Sequence, residues 1–109
     1  MENCTLDANK FIKDLIYKNK VIIFGTEECQ YTIKAEDHFL ENYQHLPKKI
    51  ILEKLDYSHM SFSYKNLIEC LRKRTKTNVV PIIYVNGMYI GNYKSLEEKT
   101  FLKDLDIFF

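Results

Sequence analysis

The chain has 109 residues, room for one domain around a single modest core. Its 46% hydrophobic and 14% aromatic content excludes a disordered chain, and 16 basic against 15 acidic residues leave no electrostatic footprint for nucleic acid. No apolar run approaches the roughly 18 residues of a membrane span.

Met1-Glu2-Asn3-Cys4 has no basic stretch leading into an apolar one, so no secretory signal is expected. The 3 cysteines are an odd number, widely separated, and match no zinc spacing. An intracellular, reducing and cytoplasmic setting is the economical expectation.

In chain order, Thr5 or Asp7 can cap a first helix whose apolar stripe is Leu6, Phe11, Leu15 and Ile16. Val21-Ile22-Ile23-Phe24 does not alternate, which predicts a short strand buried on both faces. Gly25 allows a tight turn, and a second helix runs from about Cys29 through Phe39 and Leu40 until Pro47 stops it. Ile50-Ile51-Leu52-Glu53-Lys54-Leu55 is a second strand candidate, ending at Asp56.

Leu67, Ile68 and Leu71 lie on one face of a third helix. Ile82–Val85 and Met88–Ile90 are strands joined by Asn86-Gly87, the strongest hairpin signal in the chain. Ser95 can cap a last helix through Leu96, Phe101 and Leu105. The order α-β-α-β-α-β-β-α predicts an α/β domain over 1–109. Its four-stranded mixed sheet has an early parallel pair, a late antiparallel pair and helices on both faces.

Chemistry concentrates at Cys29-Gln30-Tyr31-Thr32. A helix N-terminus offers unpaired N–H groups and the positive end of the macrodipole, and both favour a thiolate. Thr32 can donate its hydroxyl to the sulfur but cannot form a disulfide with it. Cys29 is therefore either a nucleophile released by an external thiol or a small apolar residue closing a turn. Cys70 lies between Leu67 and Leu71 at helical spacing and reads as buried packing; Cys4 falls in a terminus expected to fray.

These residues resemble glutaredoxins over nearly the whole chain. Cys29-Gln30-Tyr31-Thr32, after the strand Val21–Phe24, is similar to the family's Cys-Pro-Tyr-Cys motif and its Cys-x-Tyr-Ser monothiol variants. Val79-Val80-Pro81 resembles the family's Thr-Val-Pro, whose proline is cis and faces the active cysteine. Read from residues alone, Pro81 is equally a trans proline opening a strand. Ile90-Gly91 resembles the start of the family's Ile-Gly-Gly signature.

The resemblance implies a thioredoxin-like (glutaredoxin) fold and a glutathione-dependent thiol–disulfide oxidoreductase. Cys29 is then catalytic, and Tyr31, Val80, Pro81, Gly91 and Ser95 bind glutathione. Expected partners are glutathione and glutathionylated or disulfide-containing proteins, with the chain a monomer. Two alternatives are a [2Fe–2S] cluster held between two copies by Cys29 and glutathione, and a redox-silent binding module of the same fold.

The chain also departs from the family pattern. Thr26 stands where many glutaredoxins carry a lysine, and Glu27 and Glu28 follow it. Asn92 follows Gly91, and no aspartate stands at the start of the last helix. Asn78 replaces a basic residue. Arg72, Lys73, Arg74 and Lys76 either supply that charge or simply complement a helix C-terminus.

Overall fold

A computed structural model describes residues 3–42, 47–77 and 79–98. Thr5 caps helix α1 (Leu6–Lys18), its hydroxyl accepting the Ala8 N–H at 3.1 Å. The buried stripe is Ala8, Ile12 and Ile16, with Phe11 and Leu15 packed partly against it. Leu6, expected on that stripe, is 88% exposed, because the turn that reaches the core begins at Ala8.

Strand β1 (Val21–Gly25) is buried throughout. Its side chains alternate between two cores, which is why it reads as an unbroken apolar run. Ile22 and Phe24 enter one core with α1 and helix α3 (Tyr64–Thr75); Val21 and Ile23 enter the other with helices α2 (Gln30–Asn42) and α4 (Tyr93–Glu98). The sheet runs β2-β1-β3-β4, where β2 is Lys48–Ile51, β3 Ile82–Val85 and β4 Met88–Gly91. β1 pairs parallel with β2 and antiparallel with β3, and β3 pairs antiparallel with β4.

The second strand is displaced from its expected position. β2 begins at Lys48, and Leu52–Lys54 forms a 3-10 turn instead of continuing it. The ladder ends where Gly25 meets Ile51, so Leu52 reaches the core from a turn. Asn86 (φ 50°) and Gly87 (φ 82°) make the hairpin as expected, both with positive φ. A register shift at Ile83/Tyr84 sets Gly91 (φ 128°) opposite Ile83.

Ser63 and Asn66 form a capping box at the start of α3. Cys4 and Cys70 are disulfide-bonded, Cα–Cα 4.6 Å, which corrects the expectation of a frayed Cys4 and an unbonded Cys70. The reason is topological: α1 and α3 pack on the same sheet face, so Cys4, two residues before α1, lies against the middle of α3. Phe101, Leu105 and Asn78, each given a role from sequence, lie outside the described residues.

Candidate functional site

Cys29 immediately precedes α2, at the end of the turn that follows β1. Its N–H bonds Thr26 O at 3.3 Å, and its carbonyl accepts the Thr32 N–H at 3.1 Å, so the residue is held from both sides. It is the free cysteine of the chain and is partly buried. Its thiol donates to Val80 O at 3.8 Å, across 51 residues of sequence. The Val80–Pro81 peptide bond is cis, as the resemblance implied.

A groove of about 360 Å³ opens beside this contact, lined by Tyr31, Val79, Val80, Pro81, Asn92, Tyr93 and Lys94. Tyr31 and Tyr93 close one wall, with ring centroids 5.7 Å apart, and Lys34 Nζ lies 5.1 Å from the Tyr31 centroid. Cys29, Tyr31, Val80 and Pro81 are thus brought together. Gly91 is buried at the end of β4 and leads into Asn92; a Cβ on Gly91 would lie 2.5 Å from Ser95 Cβ.

Ser95 does not cap α4. Asn92 does, its Oδ1 accepting the Ser95 N–H at 3.1 Å and the Ser95 hydroxyl at 3.3 Å. Ser95 therefore faces Asn92 and Gly91, outside the groove lining. Tyr93 was missed as a wall. Its signal was position, two residues past the glycine of the Ile-Gly pair.

The basic run near α3 does not line the groove. Arg72 makes a two-pronged bond to Glu69 at 3.0 and 2.7 Å, which holds the Glu69 carboxyl below its usual range, and Arg74 Nε donates to Asn9 at 3.1 Å. Arg72, Lys73 and Arg74 stand in the last turn of α3, where positive charge complements the helix C-terminus. On the other side of Cys29, the Glu27 N–H donates to both Glu53 carboxylate oxygens at 3.2 Å, and the Glu27 carboxylate pairs with Lys54 at 3.3 Å.

The hydrogen bond expected from Thr32 to the sulfur is not made: Thr32 Oγ1 has no partner. Thr32 is buried, and its side chain occupies the space that a Cβ on Gly25 would need.

A cysteine at the N-terminus of α2, facing a cis-proline loop at the head of β3 in a β2-β1-β3-β4 sheet, defines a thioredoxin-like fold of the glutaredoxin type. The solved structures agree. Wheat glutaredoxin superposes with TM-score 0.77 at 19% identity, covering 92% of this chain and 91% of that one. A buckwheat glutaredoxin–glutathione complex gives 0.75 at 19% identity, covering 92% and 83%. The dithiolic glutaredoxin 2-C-Grx1 of Trypanosoma brucei brucei gives 0.69 at 24%, covering 88% and 90%.

In sequence, the chain is 32% identical over 83 residues to the mitochondrial glutaredoxin-2 of Bos taurus. The match covers 73% of this chain but 46% of that protein, so the chain spans less than half the length of its curated relative. No protein-family model matches. The chain is glutaredoxin-like in both sequence and fold.

Proposed function

We propose that the chain is a monothiol glutaredoxin, a glutathione-dependent thiol–disulfide oxidoreductase acting on glutathione mixed disulfides. The observation that carries this reading is the meeting of Cys29 Sγ with Val80 O at the edge of an open groove. Unpaired N–H groups in the first turn of α2 favour negative charge where that sulfur sits.

The Cys29 thiolate attacks the glutathione sulfur of a protein–glutathione disulfide. The Cys29–glutathione bond forms, the old S–S bond breaks, and the protein leaves as a thiolate that takes a proton from solvent. A second glutathione thiolate then attacks the glutathione sulfur bound to Cys29, releasing oxidised glutathione and regenerating the Cys29 thiolate. Thr32 supplies no second thiol, so release depends on that external glutathione. Tyr31 and Tyr93 wall the bound tripeptide, and the Val80 backbone pairs with its cysteine as a neighbouring strand would. Pro81 and Lys94 line the groove, where Lys94 offers a cation to a carboxylate, and Gly91 opens the turn beside it. Ser95 acts indirectly, by fixing the Asn92 turn.

The buckwheat glutaredoxin–glutathione complex supports glutathione as the co-substrate. The test is reduction of a glutathionylated peptide by wild type and by Cys29→Ser. Turnover that depends on both Cys29 and glutathione is expected; equal rates for the two proteins overturn the reading.

A further inference from the structure

The groove beside Cys29 carries charge of one sign. Among its described lining residues the charged side chain is Lys94, exposed near the start of α4; the others are aromatic, aliphatic or, at Asn92, an amide. A second cation stands at the aromatic wall, where Lys34 Nζ lies 5.1 Å from the Tyr31 ring centroid. The neutral acceptors of the lining are already engaged. Asn92 Oδ1 accepts the Ser95 N–H and hydroxyl at 3.1 and 3.3 Å, and Val80 O accepts the Cys29 thiol at 3.8 Å. The acids Glu27 and Glu53 lie on the other side of Cys29, bonded to each other's turn and to Lys54.

Glutathione at neutral pH carries two carboxylates and one ammonium. Its carboxylates find a cation in this groove, whereas its ammonium meets charge of its own sign and acceptors that are in use. Blocking the amine removes a repulsion, and esterifying a carboxylate removes an attraction. We propose that Lys94 is the specificity-determining residue of the groove, which selects its thiol by negative charge and does not require a free amine. The substrate class is then anionic thiols and their mixed disulfides, amine-blocked tripeptides included. This rests on the Cys29 exchange proposed above and names what that exchange admits. The chemistry is unaltered: the Cys29 thiolate bonds to the tripeptide sulfur, the old S–S bond breaks, and the departing peptide thiolate takes a proton from solvent. The amine is remote from the sulfur, so acylation changes recognition and not the bond that breaks.

The experiment uses one peptide as its mixed disulfide with glutathione glycyl ethyl ester, glutathione or N-acetylglutathione, a series that gains one negative charge at each step. Single-turnover release of the peptide thiol by the chain with Cys29 reduced is followed at low ionic strength, where exposed charges count most. Each rate is divided by the rate with mercaptoethanol, which has no groove. The normalised rates should rise along the series by roughly threefold per charge, the size expected of one exposed ion pair. Lys94→Gln should flatten the series to within about 1.5-fold per step, Lys94→Glu should reverse it, and Lys94→Arg should keep it.

A wild-type series that is flat or falls toward N-acetylglutathione overturns the proposal, as does one with the same slope in wild type and Lys94→Glu. A slope lost in Lys34→Gln but kept in Lys94→Gln overturns it too, because the charge then acts from outside the lining. Rates no faster than those of Cys29→Ser with all of the disulfides defeat the exchange itself. Rapid exchange indifferent to charge defeats only this inference.

Discussion

Replacing Cys4 by alanine removes the Cys4–Cys70 bond while leaving Cys70, 0% exposed in the core between α1 and α3, in place as a small apolar side chain. The bond joins residues 66 apart in sequence. Closing a loop of that length in the unfolded chain removes entropy worth about 4 kcal/mol at 25 °C, and disulfides typically return roughly 2–4 of it. The expected loss for Cys4→Ala is therefore about 2–4 kcal/mol. Urea unfolding followed by far-UV circular dichroism measures it, in a Cys29→Ser background so that no third thiol exchanges with the bridge. The reduced bridged protein should lose the same amount with no side chain changed. The denaturant slope should also rise in the variant, because the uncrosslinked unfolded chain exposes more surface. A midpoint indifferent to reductant, or a Cys4→Ala loss below about 0.5 kcal/mol, refutes the reasoning.

Two further outcomes follow from packing and titration. A Cβ added at Gly25 would lie 2.8 Å from Thr32 Cβ and closer still to the two atoms beyond it, so Gly25→Ala should cost about 1–3 kcal/mol. The Gly25→Ala/Thr32→Ala double variant should recover most of that in a thermodynamic cycle; additive losses would mean that Thr32 is not the obstacle. Burial pushes the Tyr57 phenol from its ordinary 10.0 up to about 12, and its O–H donates to Leu52 O at 2.7 Å. The folded state thus prefers the protonated phenol. That contribution is complete below pH 10 and is lost as pH rises through about 12. Denaturation midpoints should fall over this window, less steeply in Tyr57→Phe. Parallel falls in the two proteins would show that Tyr57 does not contribute.

Local rules carried the parts of the fold that short stretches decide. Val21–Phe24 had to be buried on both faces because it does not alternate, and it supplies both cores. Asn86-Gly87 had to turn with positive φ twice, and it does. The misplaced strand shows where such rules stop. Ile50 to Leu55 is apolar enough for a strand, but where pairing ends is set by the partner, and β1 ends at Gly25. The Cys4–Cys70 bond was illegible for a related reason: it depends on α1 and α3 sharing a sheet face, which no local pattern encodes. Asn92 and Ser95 are both good caps, and the structure uses the earlier one.

Glu27 and Glu28, the two carboxylates that precede Cys29, have unlike partners in the structure. The Glu27 carboxylate is drawn to Lys54, and its N–H is gripped by both oxygens of Glu53, so the turn before Cys29 is tied to the 3-10 turn after β2. The Lys54–Glu27 pair is more than half exposed on each side, so its strength is small, but it places a cation 3.3 Å from that acid. Glu28 is exposed, where water and salt screen it. The lysine missing at Thr26 therefore need not be replaced charge for charge. What remains around the sulfur is neutral and directional: the N–H groups opening α2 and the Val80 carbonyl. Such groups act at hydrogen-bond range and keep their strength in salt, whereas a surface lysine acts at longer range and loses it. Reactivity of Cys29 that hardly changes between low and high salt is the behaviour this arrangement dictates.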